Sequence, residues 1–212
     1  MSMKAKIRGS AFTAILTLLL YGCGTSPLPD YYLLTANAQP AGGASSDLII
    51  GVGPIEVSDF LERPQIAIHS GTNRLEVDEL NRWAEPLDRA VIRVMALNLA
   101  ALLGTEKITG FPWRRDDRPD IAIRIAILVL DHRQGQAVLG VRWVLVDTES
   151  EQLVHQELKR YQQSSSNEPE LLAAAYSDLL VELAADIVNR IRTNANATAN
   201  AQSPAPASDD SG

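Results

Sequence analysis

The stretch IAIRIAILVLDHRQGQAVLGVRWVLVD, residues 121–147, decides how this chain is built. Ile121, Ile123, Ile125, Ile127 and Val129 alternate with Ala122, Arg124, Ala126, Leu128 and Leu130, which is the period of a strand with one strongly apolar face and a second, partly covered one. Gln134-Gly135 turns the chain. Ala137, Leu139, Val141, Trp143 and Leu145 then continue one face while Arg142 falls on the other, and a third run from Gln152 to Tyr161 completes a meander. Upstream, Leu48 to Val57 (LIIGVGPIEV) is a β-rich run interrupted at Gly53-Pro54, which predicts a bulge or an edge position there. Gln65 to His69 and Arg74 to Val77 flank Ser70-Gly71-Thr72-Asn73 as a hairpin, and Tyr31 to Thr35 reads as a further strand.

Two helices accompany the sheet. The first is expected from Pro86, where a missing N–H costs nothing, to Gly104, which suits a left-handed C-terminal cap. Leu87, Ala90, Val91, Val94 and Ala101 share one face; Ile92, Met95, Leu99 and Leu103 form a second apolar stripe, leaving only the side with Arg89 and Arg93 plainly polar. A helix sandwiched in the core explains both stripes. The other reading gives Ile92, Met95, Leu99 and Leu103 to a partner interface, including self-association into a homo-oligomer. The last helix starts near Asn167-Glu168-Pro169 and carries Leu172, Tyr176, Leu179, Leu183 and Ile187 on one side, the pattern of a helix packed on the sheet. The fold class expected is therefore α+β: a single domain with a mixed or antiparallel sheet and two main helices packed on it.

Of the 212 residues, 46% are hydrophobic, enough for a real core and too many for a disordered chain. The net charge of −7 and the absence of any long Lys/Arg block argue against nucleic acid as a partner. Cys23 is the only cysteine, so neither a disulfide frame nor a cysteine metal site can form within the chain. Its place is informative. Lys4, Lys6 and Arg8 precede the apolar run Ala11 to Tyr21, of secretory-signal length, and Leu20-Tyr21-Gly22-Cys23 resembles a lipobox, in which the cysteine is acylated and becomes the new first residue. A plain signal peptide with an incidental cysteine is the competing reading. With 1–22 read as the signal peptide, the mature chain keeps 16 basic against 26 acidic side chains. Gly24 stands where an aspartate would mark inner-membrane retention, so the outer membrane, periplasmic face, is the expected destination.

Residues 23–30 form a short lipid-anchored tether and residues 31–192 the domain. Ala36 to Asp47 hold no large apolar side chain and suggest a flexible loop. Residues 193–212 hold none either and are expected to be a disordered tail.

The catalytic inventory is thin. His69, His132 and His155 each lie in or at the end of an expected strand without a ligand partner at helical or turn spacing, so no metal site is expected. Asp131-His132 are neighbours on a strand and point to opposite faces, which does not make a base and its orienter. No nucleophile elbow occurs, and Pro54 removes an amide that a phosphate loop at Gly51-Val52-Gly53 would need. Neither a catalytic residue nor a cofactor is assigned.

The segments Val52-Gly53-Pro54-Ile55, Leu61-Glu62-Arg63-Pro64-Gln65-Ile66, Arg82-Trp83-Ala84-Glu85-Pro86-Leu87 and Phe111-Pro112-Trp113, in that order behind a lipobox, resemble the ABC-type transport auxiliary lipoprotein family over roughly Tyr31 to Arg192. The positions that bear the likeness are Leu61, Arg63, Pro64, Gln65, Arg82, Trp83, Glu85, Pro86 and Leu87. The resemblance implies a non-enzymatic accessory of a system in which mammalian-cell-entry (MCE) domain proteins form a lipid conduit between the membranes. The partners it implies are a membrane, through acylated Cys23, and an MCE-domain conduit protein. A different envelope-assembly lipoprotein, such as a secretin pilot or a lipopolysaccharide-assembly plug, and a lipid-anchored enzyme are the alternatives from other classes.

Overall fold

In chain order the strands are β1 (Asp30–Tyr32), β2 (Ile50–Val57), β3 (Gln65–His69), β4 (Leu75–Trp83), β5 (Ile108–Gly110), β6 (Ile121–Arg133), β7 (Gln136–Asp147) and β8 (Leu153–Ser164). The helices are α1 (Leu87–Leu103), between β4 and β5, and α2 (Pro169–Gln202), at the end. This computed structural model describes residues 27–40 and 48–202. The signal peptide, Cys23 and the rest of the tether up to residue 26, residues 41–47 of the 36–47 loop, and residues 203–212 lie outside the described residues.

The 121–164 region forms the expected meander, with β6, β7 and β8 paired antiparallel. Gln134 and Gly135 both take positive φ, 53° and 75°, the two-residue turn whose twist matches that of the flanking strands. β2 lies parallel between β5 and β6, giving a mixed five-stranded sheet of order β5-β2-β6-β7-β8. The interruption at Gly53-Pro54 is a register shift between Val52 and Ile55. Pro54 needs no amide partner there, because the pairing with β5 ends at Val52.

Two features depart from the sequence reading. The β3–β4 hairpin forms as expected, but it joins β1 in a second, three-stranded sheet of order β1-β4-β3 rather than extending the first. β4 runs on past Val77, the expected end of the hairpin, through Arg82 to Trp83. The second departure is α2, which continues past Arg192 to Gln202, so residues 193–202 are helical and not the start of a disordered tail. Four alanines in that span supply helix propensity without needing burial, and the Thr193 hydroxyl donates to the Asn189 carbonyl at 2.8 Å.

The core lies between the five-stranded sheet and the helices. Ile123, Ile125, Leu139, Val141, Trp143 and Leu145 meet Leu172, Leu179, Leu183 and Ile187 of α2, all buried. α1 begins directly after Pro86, its N-cap, and ends on Gly104 in the left-handed conformation (φ 65°, ψ 37°) with its amide on Ala100. Both apolar sides of α1 are used, one against β2 and β5 and the other against α2. Residues 35–38, which follow β1, are strapped to both helices. The Thr35 amide donates to Ser177 Oγ (3.0 Å), Asn37 Nδ2 to Asp178 Oδ1 (2.8 Å) and the Ala38 amide to Asn98 Oδ1 (3.1 Å).

Candidate functional site

Three of the sequence motifs, far apart in the chain, border one cleft. Its volume is about 460 Å³, and it is lined by Ile55, Glu56 and Val57 from β2, Glu62 from the turn before β3, and Pro86, Leu87 and Asp88 at the start of α1. The convergence has a backbone cause: the Trp83 amide donates to the Pro64 carbonyl at 2.7 Å, and Gln65 stands opposite Arg82 in the small sheet. That tie brings the Leu61–Ile66 segment beside the start of α1.

The motif residues divide by burial into two jobs. Leu61, Trp83 and Leu87 are buried, and Trp83 lies against Tyr176 of α2 with ring centroids 6.3 Å apart. Gln65 donates to Glu79 (3.1 Å), and Glu85 takes Arg93 Nε at 3.1 Å while Arg93 also donates to the Leu34 carbonyl at 2.9 Å. These residues fix the frame. Glu62, Arg63 and Pro86 are exposed at or beside the cleft mouth, and Arg63 has no ion pair or side-chain hydrogen bond among the described residues. With Glu62 and Asp88 the cleft presents two carboxylates and no histidine, hydroxyl nucleophile or thiol, while the Glu56 side chain, between the core-facing Ile55 and Val57, turns to the far face of the sheet. Such a surface recognises cationic or hydrogen-bond-donating groups. Among the described residues no cluster of His, Cys, Asp or Glu could hold a metal ion.

The fourth motif braces the sheet edge. Phe111 and Trp113 meet edge-on at 5.1 Å, and a Cβ on Gly51 would lie 2.9 Å from the Trp113 ring and 2.5 Å from Pro119, so glycine is required there.

A second polar centre joins the two sheets, and sequence spacing did not reveal it. Asp131 of β6, 1% exposed, receives the backbone amides of His69 and His132 on Oδ1, each at 2.9 Å. Its Oδ2 lies 2.7 Å from His69 Nδ1 and accepts from Arg133 Nε. Burial pushes the Asp131 carboxyl up, but Arg133, the two His69 contacts and the amides outweigh it and hold it below the usual carboxylate range. Asp131 and His132 do point apart, as expected of strand neighbours. The histidine that Asp131 meets is 62 residues earlier in the chain.

The chain matches the ABC-type transport auxiliary lipoprotein component over residues 31–188. It belongs to that family. A Xanthomonas campestris protein of the DUF330 type shares the fold, with a TM-score of 0.67 at 14% identity, covering 80% of this chain and 99% of that one. A second solved structure, titled only as an uncharacterized protein, aligns with a TM-score of 0.64 at 17% identity over 78% of this chain and 99% of its own. No curated protein matches the chain. At such identities the structures speak to the fold alone.

As a transport auxiliary lipoprotein the chain keeps its motif residues at the cleft and in the frame beneath it, while the helix stripe falls elsewhere. Met95, Leu99 and Leu103 are buried within the chain, Met95 and Leu99 at 0% exposure, because the sheet edge formed by β2 and β5 and the last helix α2 together cover both apolar sides of α1. Ile92 is only partly exposed and faces β5, where a Cβ on Gly110 would come within 2.8 Å of its Cγ2. The stripe is core, and the interface reading of Ile92, Met95, Leu99 and Leu103 is withdrawn. Cys23 lies outside the described residues.

Proposed function

We propose that this auxiliary lipoprotein is held by acylated Cys23 on the periplasmic face of the outer membrane and acts as a non-catalytic docking subunit of an MCE-type lipid transport system. On this reading the motif cleft receives the conduit protein. The observation that supports it is the convergence of three distant motifs on one acidic cleft whose members form no catalytic grouping. The buried motif residues hold the walls, and the exposed ones, Glu62, Arg63 and Pro86, meet the partner. A cleft of this charge suits a partner segment that brings lysine, arginine or backbone amides, and such complementarity sets register and encounter rate more than raw affinity.

The test is affinity capture from detergent-solubilised envelope with the full chain as bait. Glu62→Lys combined with Asp88→Lys reverses both cleft carboxylates, at exposed or half-exposed positions. The variant is expected to keep its circular dichroism and to lose the MCE-domain protein. Unchanged capture of that protein by the folded variant would remove the cleft from the docking surface, and its absence from the wild-type capture would remove the MCE assignment.

A further inference from the structure

The helices cover one face of the five-stranded sheet, and the other face carries a line of arginines. Arg124 on β6 stands opposite Val144; Arg142 on β7 stands opposite Ala126 on one side and Leu158 on the other; Arg160 on β8 stands opposite Gly140. The period of two puts all three side chains on the face away from the helices, and consecutive members are diagonal cross-strand neighbours, about 7–8 Å apart. All three are exposed, and among the described residues none makes an ion pair or a side-chain hydrogen bond. The nearest carboxylate on that face is Glu56, opposite Ala126 and diagonal to Arg124; it borders a shallow pocket with Arg124 and Arg142 but makes an ion pair with neither. Asp131, further along β6, is already taken by Arg133 and His69. Three unpaired guanidiniums at this spacing repel one another, so the row costs stability unless an external anion meets it.

Apolar side chains accompany the row. Leu158, directly beside Arg142, is 71% exposed, and Leu128, in the bulge between Ile127 and Val129, is 43% exposed. Guanidiniums match phosphate in a two-pronged geometry, and leucines set among them find favourable surroundings at the boundary of headgroups and acyl chains. We infer that the outer face of β6–β8 docks on an anionic phospholipid surface, with Arg124, Arg142 and Arg160 taking headgroup phosphates and Leu128 and Leu158 entering between them. The inference rests on the anchored-lipoprotein reading for its setting: six residues lie between Cys23 and Asp30 at the start of β1, seven steps along the chain and a reach of about 25 Å at full extension. The tether therefore keeps the domain within touching range of the bilayer, and the arginine face sets which side turns toward it.

The single cysteine makes a test direct. The full acylated chain bearing Leu158→Cys, labelled there with an environment-sensitive fluorophore, is reconstituted in vesicles of phosphatidylcholine alone or of equal parts phosphatidylcholine and phosphatidylglycerol. Leu97→Cys, on the exposed side of α1, is the control. The label at position 158 is expected to brighten and shift to the blue only in the anionic vesicles. It should revert at ~1 M salt, where the Debye length falls to about 3 Å. Arg124→Gln, Arg142→Gln and Arg160→Gln together should shift the docked fraction about a hundredfold, since each arginine near an anionic surface is worth roughly fivefold. No response at position 158 in anionic vesicles overturns the inference. So does an equal response in neutral vesicles, which would show a second copy or another protein surface covering the face, or a response that survives the arginine replacements in a folded variant. Failure of the anchor is seen separately: unmodified wild type, whose only thiol would be Cys23, would then take the label and leave the vesicles.

Discussion

Replacing Asp131 with asparagine tests whether the contact between the two sheets is electrostatic. The substitution keeps the shape and leaves Oδ1 to accept the amides of His69 and His132, but it turns Oδ2 into an amide donor facing two other donors, His69 Nδ1 and Arg133 Nε. Each lost charge-assisted contact is worth about 1.5–3 kcal/mol. Arg133 is half-exposed and its share is screened by solvent. The sum falls at the low end of the range for breaking a buried pair, about 3 kcal/mol. For a domain of this size that lowers Tm by about 6–12 °C. The pH dependence has a definite sign. The native carboxyl is held below its ordinary value, so its contribution is complete above the unfolded-state pKa near ~4 and is lost as pH falls through the native one. Urea unfolding of wild type and Asp131→Asn should therefore differ by about 3 kcal/mol at neutral pH and converge in strong acid. Native-state hydrogen exchange adds a local readout, because the His69 amide should lose protection before the β6–β7 ladder does. A difference below about 1 kcal/mol at neutral pH, or one that persists unchanged in acid, would refute the reasoning.

Leu99→Ala should cost about 2–5 kcal/mol in urea unfolding, and Leu99→Asp should abolish the near-ultraviolet circular dichroism of the domain, since Leu99 is fully buried; a folded Leu99→Asp protein would restore the stripe to the surface. Gly53→Ala should cost about 1–3 kcal/mol or more, because Gly53 sits at φ 115° and its Cβ would come within 2.6 Å of Phe111 Cβ, whereas Gly71→Ala, in open space, should stay within about 0.5 kcal/mol; equal effects at the two sites would show that the β2–β5 junction yields freely.

The parts of this fold that were legible in the sequence are those where a local period decides the answer. The meander could be read because 121–147 alternate without a break and Gln134-Gly135 can supply two positive φ values; α1 could be bounded because Pro86 and Gly104 punctuate it chemically. What escaped reading depends on separations that no window spans. Asp131 looked idle beside His132 because its partner, His69, comes from a strand in another sheet. Asn98 and Ser177, buried polar residues on α1 and α2, had no visible purpose until residues 35–38 crossed over them. The second sheet was missed because the β3–β4 pattern fixes a hairpin and says nothing of which edge it joins; β1 settles that by pairing in parallel with the far end of β4, Tyr32 beside Trp83.

The helix stripe failed for a more general reason. A helix apolar on two sides has the same sequence signature whether its second side meets a partner or another element of its own chain, and only the path of α2 decides between them. The same limit applies in reverse to the motifs. Leu61, Arg63, Trp83 and Pro86 look alike as marks of kinship, yet the structure buries Leu61 and Trp83 and exposes Arg63 and Pro86. Burial is what separates residues that hold a cleft from residues that can face what enters it. The division also predicts how variants should sort: truncation of Leu61 or Trp83 should appear first as lost stability, as large core deletions do, at roughly 2–5 kcal/mol. Charge changes at Glu62 or Arg63 should leave stability within about 0.5 kcal/mol and change association alone.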